Sequence, residues 1–249
     1  MAKVAGHMFL KKLGKRRLRP GGVIGTNFLM SHIEFKPGQK LLEVACNRGV
    51  NLLMLAKENP EVRFFGIDMD QESIDQANLE KEKQGLTNIE FVKGNALDLK
   101  FEDNYFDYVV NEAMLTMLAK DSKSKALNEY YRVLKNGGLL LTHDIALINE
   151  YEQTRKRLSK SINVNVSPMP KDEWIETFKN SGFNTIDSLQ GTLTLMTPSG
   201  MLKDEGILNT IKIVINGLKK ENREQFLTMR KTFKSLEHNM NYICFVNKK

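Results

Sequence analysis

The sequence predicts an α/β fold: a doubly wound, mostly parallel sheet of seven strands with an antiparallel last strand. Three observations carry that expectation. Lys40-Leu-Leu-Glu-Val-Ala-Cys-Asn-Arg-Gly49 reads as a buried strand running into a tight turn and a helix, and Phe64-Phe-Gly-Ile-Asp68 as a second strand ending in a carboxylate. Strand and helix patterns then alternate at βαβ spacing to about residue 150. Beyond that point a strand, a helical excursion and a returning strand suggest an antiparallel pair at the sheet edge.

Taken in order, residues 3–18 look helical and break at Arg19-Pro-Gly-Gly22. A short apolar helix over 24–33 leads to the turn Lys36-Pro-Gly-Gln39. The alternating core comprises strand 40–45, helix 50–58 closed by Asn59-Pro60, and strand 62–68. Asp70 is placed to cap helix 71–84, with Gly85 as its left-handed stop. Strands 88–92 and 106–110 follow. Asp121 is expected to cap helix 122–134, whose Leu127, Tyr130, Tyr131 and Leu134 share one face. Asn136-Gly-Gly138 then feeds strand 139–142. Helix 171–181, anchored to the sheet by Trp174, precedes a strand over 183–196, a helical insertion over 201–237 and a final strand over 240–246. One domain is expected over 1–249, with a helical arm over 1–36, a ligand-binding core over 38–150 and a lid over 197–238.

Composition narrows the class. With 249 residues, 41% hydrophobic and 27% charged, the chain reads as a soluble globular protein. No apolar run approaches the roughly 18 residues of a membrane span. The N-terminus shows no signal-peptide core, and two cysteines make no disulfide or metal framework, so a cytoplasmic location is expected. The net charge of +7 is unevenly placed. Residues 1–36 hold eight basic residues against Glu34 alone, and the other 29 basic and 29 acidic residues cancel. Such an arm could touch nucleic acid, although no aromatics interleave it; a solvated helix face is the plainer reading.

An acidic group at the end of a second parallel strand can grip a ribose diol. The turn after the first strand lacks G-x-G-x-x-G and G-x-x-x-x-G-K-[ST], which argues against a pyrophosphate or triphosphate ligand. An adenosine ligand without phosphates remains, and S-adenosylmethionine fits that description best.

Five motifs in order, Glu43-Val-Ala-Cys-Asn-Arg-Gly49, Gly66-Ile-Asp68, Val92-Lys-Gly-Asn-Ala96, Asn104-Tyr-Phe-Asp-Tyr-Val-Val110 and Tyr131-Arg-Val-Leu-Lys-Asn-Gly-Gly138, resemble those of class I S-adenosylmethionine-dependent methyltransferases. The similarity is nearest to the methyltransferase type 11 group, which includes quinone-biosynthesis C-methyltransferases, and covers about residues 38–145. It implies a Rossmann-like methyltransferase fold and a set of cofactor contacts. Glu43 would anchor the turn and face the methionine part; Ala45, Cys46, Asn47 and Gly49 would form the turn, Ala45 and Asn47 standing where the family has glycine. Asp68 would accept the ribose hydroxyls, Met69 would pack on adenine, Asn95 and Ala96 would meet its polar edge, and Asn111 would border the methyl with Glu112.

Methyl transfer is an in-line displacement that positioning alone can drive. Where the acceptor must lose a proton, a base is needed within hydrogen-bond reach. His143-Asp144, just past the fifth strand, and Glu112 are the candidates; Tyr105 and His32 are weaker. Each has a structural alternative as a packed or capping group. No metal is expected, because Asp68-x-Asp70 lacks companion ligands, and Cys46 is read as packing beneath the helix. Met114, Met117, Met196 and Met201 suit an adaptable apolar pocket or the ordinary core. A small-molecule acceptor held beneath the N-terminal helices and the insertion is the leading expectation. Asn111-Glu-Ala-Met114 differs from the Asn-Pro-Pro-Tyr type of base-modifying enzymes. An RNA methyltransferase using the basic arm and a non-catalytic S-adenosylmethionine-binding protein are the alternatives.

Overall fold

Alternation at a period of two decides the layering. Leu41 and Leu42, Phe64 and Phe65, and Leu140 and Leu141 are neighbours in sequence, yet each pair divides between two separate buried clusters on opposite faces of one sheet. Both faces are therefore covered by helices. The computed structural model describes residues 4–249; Lys3 of the basic arm lies outside them.

Helices α1 (Gly6–Leu13) and α2 (Gly22–Met30) precede the sheet. The wound core follows as β1 (Lys40–Val44), α3 (Val50–Glu58), β2 (Arg63–Asp68), α4 (Gln71–Lys83), β3 (Ile89–Lys93) and β4 (Phe106–Glu112). A 3-10 turn at Leu115–Met117 leads to α5 (Lys120–Val133), β5 (Leu134–Leu147), α6 (Tyr151–Ile162), β6 (Met169–Pro170) and α7 (Lys171–Asn180). The chain ends with β7 (Asn184–Thr192), α8 (Pro198–Leu218), α9 (Arg223–Ser235) and β8 (Met240–Lys248). Spatially the strands run β3-β2-β1-β4-β5-β8-β7. Strands β1 to β5 pair in parallel, while β8 runs antiparallel between β5 and β7. Order reverses between β1 and β4, so their carboxyl ends diverge into a crevice.

Several boundaries differ from the sequence reading, each for a physical reason. The first helix ends at Leu13, because Gly14 takes φ 106°. Residue 119, not Asp121, sits at the start of α5; Asp121 lies inside its first turn. No break separates α5 from β5, which runs from Leu134 through Gly138 to Leu147 because Leu134 pairs with β4 ahead of a register shift and Leu139 to Leu147 pair with β8 on the other side. An eighth strand, the two-residue β6, pairs with β5 at Ala146 and Leu147. Helix α6 was not legible: its buried side chains are Thr154, Leu158 and Ser161, too thin a stripe to give an apolar period. Trp174 is fully buried, and its indole donates to the Ile145 carbonyl at 3.1 Å.

Candidate active site

The turn after β1 is unusual backbone. Ala45, Asn47 and Gly49 have φ of 60°, 51° and 64°, three alternate residues in the left-handed region. A Cβ on Gly49 would lie 2.2 Å from the Phe91 ring, so glycine is required there. Ala45 carries a conformational cost of about 1–2 kcal/mol, and Asn47 less, because its short polar side chain tolerates this region. The loop is pinned by hydrogen bonds from the Cys46 N–H to Ile67 O and from the Gly49 N–H to Cys46 O, both 2.9 Å. It is pinned again by Asp68, whose Oδ2 accepts the Asn47 N–H and whose Oδ1 accepts the Asp70 N–H, each at 2.9 Å. A carboxylate offers about four lone-pair directions, so Asp68 keeps acceptor capacity after both bonds.

This turn forms one end of a cavity of about 630 Å³. Glu43, Ala45, Asn47, Asp68, Met69, Asn95 and Ala96 line that end, from the carboxyl ends of β1 and β2 and the loop after β3. Met69 is 68% exposed, an apolar side chain left open at the cavity. The other end is apolar. Leu158 and Ile162 of α6, Met229 and Phe233 of α9, and Met114 and Met117 after β4 enclose it.

Between the two ends lies a buried polar cluster. Glu112 Oε1 accepts from the Thr26 hydroxyl and lies 3.2 Å from His143 Nδ1; Oε2 accepts from Asn51 Nδ2 at 3.3 Å. The Thr26 hydroxyl in turn accepts from Arg19 Nη1 at 2.7 Å. Burial acts to raise the Glu112 pKa, but the His143 bond and the charges and donors around it prevail and hold it below the ordinary carboxylate value. Glu43 goes the other way. Burial, reinforced by the nearby Glu112 charge, pushes its pKa up to about 8, and its Oε2 has no hydrogen-bond partner in the protein. The environment therefore separates the two carboxyl groups, one ionised and one protonated near neutrality.

The remaining candidates are distributed as follows. His143 is fully buried inside β5, not past its end, and does not line the cavity; its Nε2 accepts the Gly21 N–H at 2.8 Å. Asp144 reaches the cavity wall, but its oxygens accept the N–H groups of Thr116 and Ile145 at 3.0 and 2.8 Å. Asn111 is fully buried and donates to Thr142 Oγ1 at 3.1 Å, away from the cavity. Cys46 and Gly49 shape the turn from beneath; burial pushes the Cys46 thiol far above its usual range. Tyr105, His32, Met196 and Met201 do not line the cavity. Among the described residues no group of His, Cys, Asp and Glu is arranged to hold a metal ion.

The N-terminal arm contributes wall residues that the sequence did not mark, among them Lys11, Arg17 and Arg19. Lys11, Lys15 and Arg19 are buried and paired with Asp70, Glu205 and Asp204 respectively, with Arg19 Nη2 3.1 Å from Asp204 Oδ1. Arg17 Nη1 donates to the Asp204 carbonyl at 2.8 Å. Four of the arm's cations are thus turned into the molecule, which removes much of the surface that would follow a phosphate backbone. No local pattern marks these pairs, because Arg19 and Asp204 stand 185 residues apart in the chain.

Comparison with known proteins gives the following. A family model described as a methyltransferase domain matches residues 35–182. A Haemophilus influenzae protein described as uncharacterized is 46% identical over 246 residues, 98% of each chain. Sterol 24-C-methyltransferase erg6 of Aspergillus fumigatus is 30% identical over 167 residues; these are 64% of this chain and 44% of that one, so the chain spans less than half of that relative's length. Among solved structures, phosphoethanolamine N-methyltransferase 2 of Haemonchus contortus in complex with S-adenosyl-L-methionine superposes with a TM-score of 0.74 at 20% identity, covering 97% of this chain and 56% of that one.

Proposed function

The chain belongs to the class I S-adenosylmethionine-dependent methyltransferases, enzymes whose cofactor is S-adenosylmethionine, and from that premise we propose that it methylates a small, largely apolar acceptor. The observation that carries the choice of acceptor is the two-ended cavity, polar and tightly turned at β1 and β2, apolar beneath α6 and α9. The name of the Aspergillus relative, a sterol methyltransferase, supports an apolar acceptor as well.

The residues at the polar end fit the cofactor. Asp68 would accept the ribose hydroxyls with its remaining lone pairs, bonds strengthened by its charge. Glu43, with one oxygen lacking a partner, would face the cationic methionine portion. Met69 would cover the adenine ring, and Asn95 with Ala96 would border its edge. When bound, S-adenosylmethionine supplies a methyl group on a positively charged sulfur, a strong leaving group. Glu112, held by Thr26, Asn51 and His143, is positioned to orient an acceptor or take its proton. His143, whose Nε2 is occupied by Gly21, would serve as the positioning partner of Glu112. The apolar walls exclude water from the transfer.

Incubation with methyl-labelled S-adenosylmethionine and a cell extract tests this reading. Label is expected in the fraction extracted by organic solvent, and its appearance should require Asp68. Label recovered in RNA or protein instead would overturn the choice of acceptor.

A further inference from the structure

From residue 202 to residue 220 every exposed side chain is either apolar or a lysine. The two acidic residues of that stretch, Asp204 and Glu205, are turned inward onto Arg19 and Lys15. Gly206, at φ 75° and ψ 169°, kinks α8 between these inward carboxylates and the outer half of the helix. Beyond the kink Ile207, Leu208, Ile211, Ile215 and Leu218 are all exposed, Ile207 by 69% and Leu208 by 84%. At 3.6 residues per turn these five occupy an arc of about 100°, while the buried Thr210, Ile213 and Gly217 point the other way. Lys212 and Lys219 border one edge of the arc, and Lys203 and Lys220 stand at its two ends. Lone exposed apolar residues are ordinary; five in one stripe with lysines along one edge are not.

We propose that this half of α8 is a docking surface for an anionic lipid membrane, lying in the plane of the headgroups with its apolar stripe submerged. Charge decides the occupant. Interfacial helices combine an apolar face with flanking lysines, and each such lysine is attracted to an anionic leaflet. A second copy of this chain fits less well. A two-fold interface sets the same patch against itself, so lysine borders would meet lysine borders with no exposed carboxylate between residues 202 and 220. Spanning is not the mode, since among the described residues no helix is long and apolar enough to cross a membrane. The surface also adjoins the proposed active site through α1. Asn209 and Asn216 of α8 donate to the carbonyls of Gly14 and Leu13, while Gly6, His7 and Leu10 of α1 line the cavity. Docking there would bring the cavity close to a supply of apolar acceptors, yet the surface itself stands independently of the acceptor's identity.

Cosedimentation of the full chain with vesicles of phosphatidylcholine containing phosphatidylglycerol is the test, run against vesicles of phosphatidylcholine alone and in low and high salt. Binding is expected to the anionic vesicles, weakening with salt. Leu208→Ser with Ile211→Ser should reduce it at least about tenfold, and Lys212→Gln with Lys219→Gln by a comparable factor. All four positions are exposed, so the thermal melt of each variant should match the parent. A parent chain that stays in the supernatant with anionic vesicles overturns the proposal. So does a stable dimer in sedimentation velocity that Leu208→Ser with Ile211→Ser takes apart.

Discussion

Glu112 and His143 face each other from adjacent strands, Oε1 3.2 Å from Nδ1, while the far nitrogen of the imidazole is satisfied by the backbone of Gly21. With Nε2 accepting, Nδ1 carries the proton and donates it to Glu112. His143 then has no free nitrogen to offer an acceptor, whereas Glu112 borders the cavity. Glu112→Gln is expected to lower methyl transfer by about 10²–10⁴-fold, the range for loss of a general base. Cofactor affinity should stay within a few-fold. Transfer at the parent rate would show that Glu112 only packs.

Asp68→Ala should weaken S-adenosylmethionine binding by about 1.5–3 kcal/mol, the scale of hydrogen bonds to a charged group. The same change strips the Asn47 and Asp70 N–H groups of their acceptor, so unfolding in urea should also come earlier. Asp68→Asn, which retains one acceptor oxygen, should fall between. Unchanged affinity in calorimetry would remove the ribose assignment.

If Glu43 faces the cofactor as proposed, its raised pKa is expected to make cofactor affinity depend on pH. Its pKa is about 8 in the folded chain against an ordinary 4.5, so the folded state keeps a proton that the unfolded state releases between those values. The associated stability is complete below the ordinary value and is lost as pH rises through about 8. Glu43→Gln, neutral throughout, should therefore outlast the parent above that point by about 2–4 kcal/mol. A cationic cofactor favours the ionised form, so binding should expel a proton in this window and tighten as pH approaches 8. Calorimetry in two buffers of different ionisation enthalpy counts that proton.

Backbone strain in the first turn gives a separate test. Ala45→Gly should raise stability by about 1 kcal/mol, since the position is already left-handed. Gly49→Ala should cost more than about 2 kcal/mol, as its Cβ has only the Phe91 ring to enter. Urea midpoints of the two variants should move in opposite directions.

What the sequence disclosed follows the range of the forces involved. β1, the tight turn and the carboxylate at Asp68 were legible because each rests on neighbours within a few residues. The antiparallel pair at the sheet edge was legible too, since a strand, a helical excursion and a returning strand follow the parallel core. Helix α6 was hidden because only Leu158 and its few buried companions face inward, yet Leu158 and Ile162 wall the cavity. The length of β5 was hidden as well. Asn136-Gly-Gly138 looks like a stop, but Leu134 pairs with Phe106 of β4 ahead of a register shift, Gly137 and Gly138 bond to Lys249, and β8 pairs from Leu139 onward, so the strand continues and His143 lies inside it. Arg19 looked like part of a solvated arm for the same reason: its partner, Asp204, comes 185 residues later.

Arg19 and Asp204 can be probed directly. Arg19→Met leaves a carboxylate buried without its cation and should cost about 3–5 kcal/mol, while the double variant Arg19→Met, Asp204→Leu should recover most of it. Equal losses in the single and double variants would mean that the pair contributes through shape alone.

That ion pair has a practical corollary for anyone who wishes to redirect the enzyme. Two segments distant in the chain, around residues 15–19 and 204–205, form a two-piece cassette welded by Lys15, Arg17 and Arg19 to Asp204 and Glu205. Grafting either half from a relative would strand charges in the interior, so the two halves have to be transplanted together.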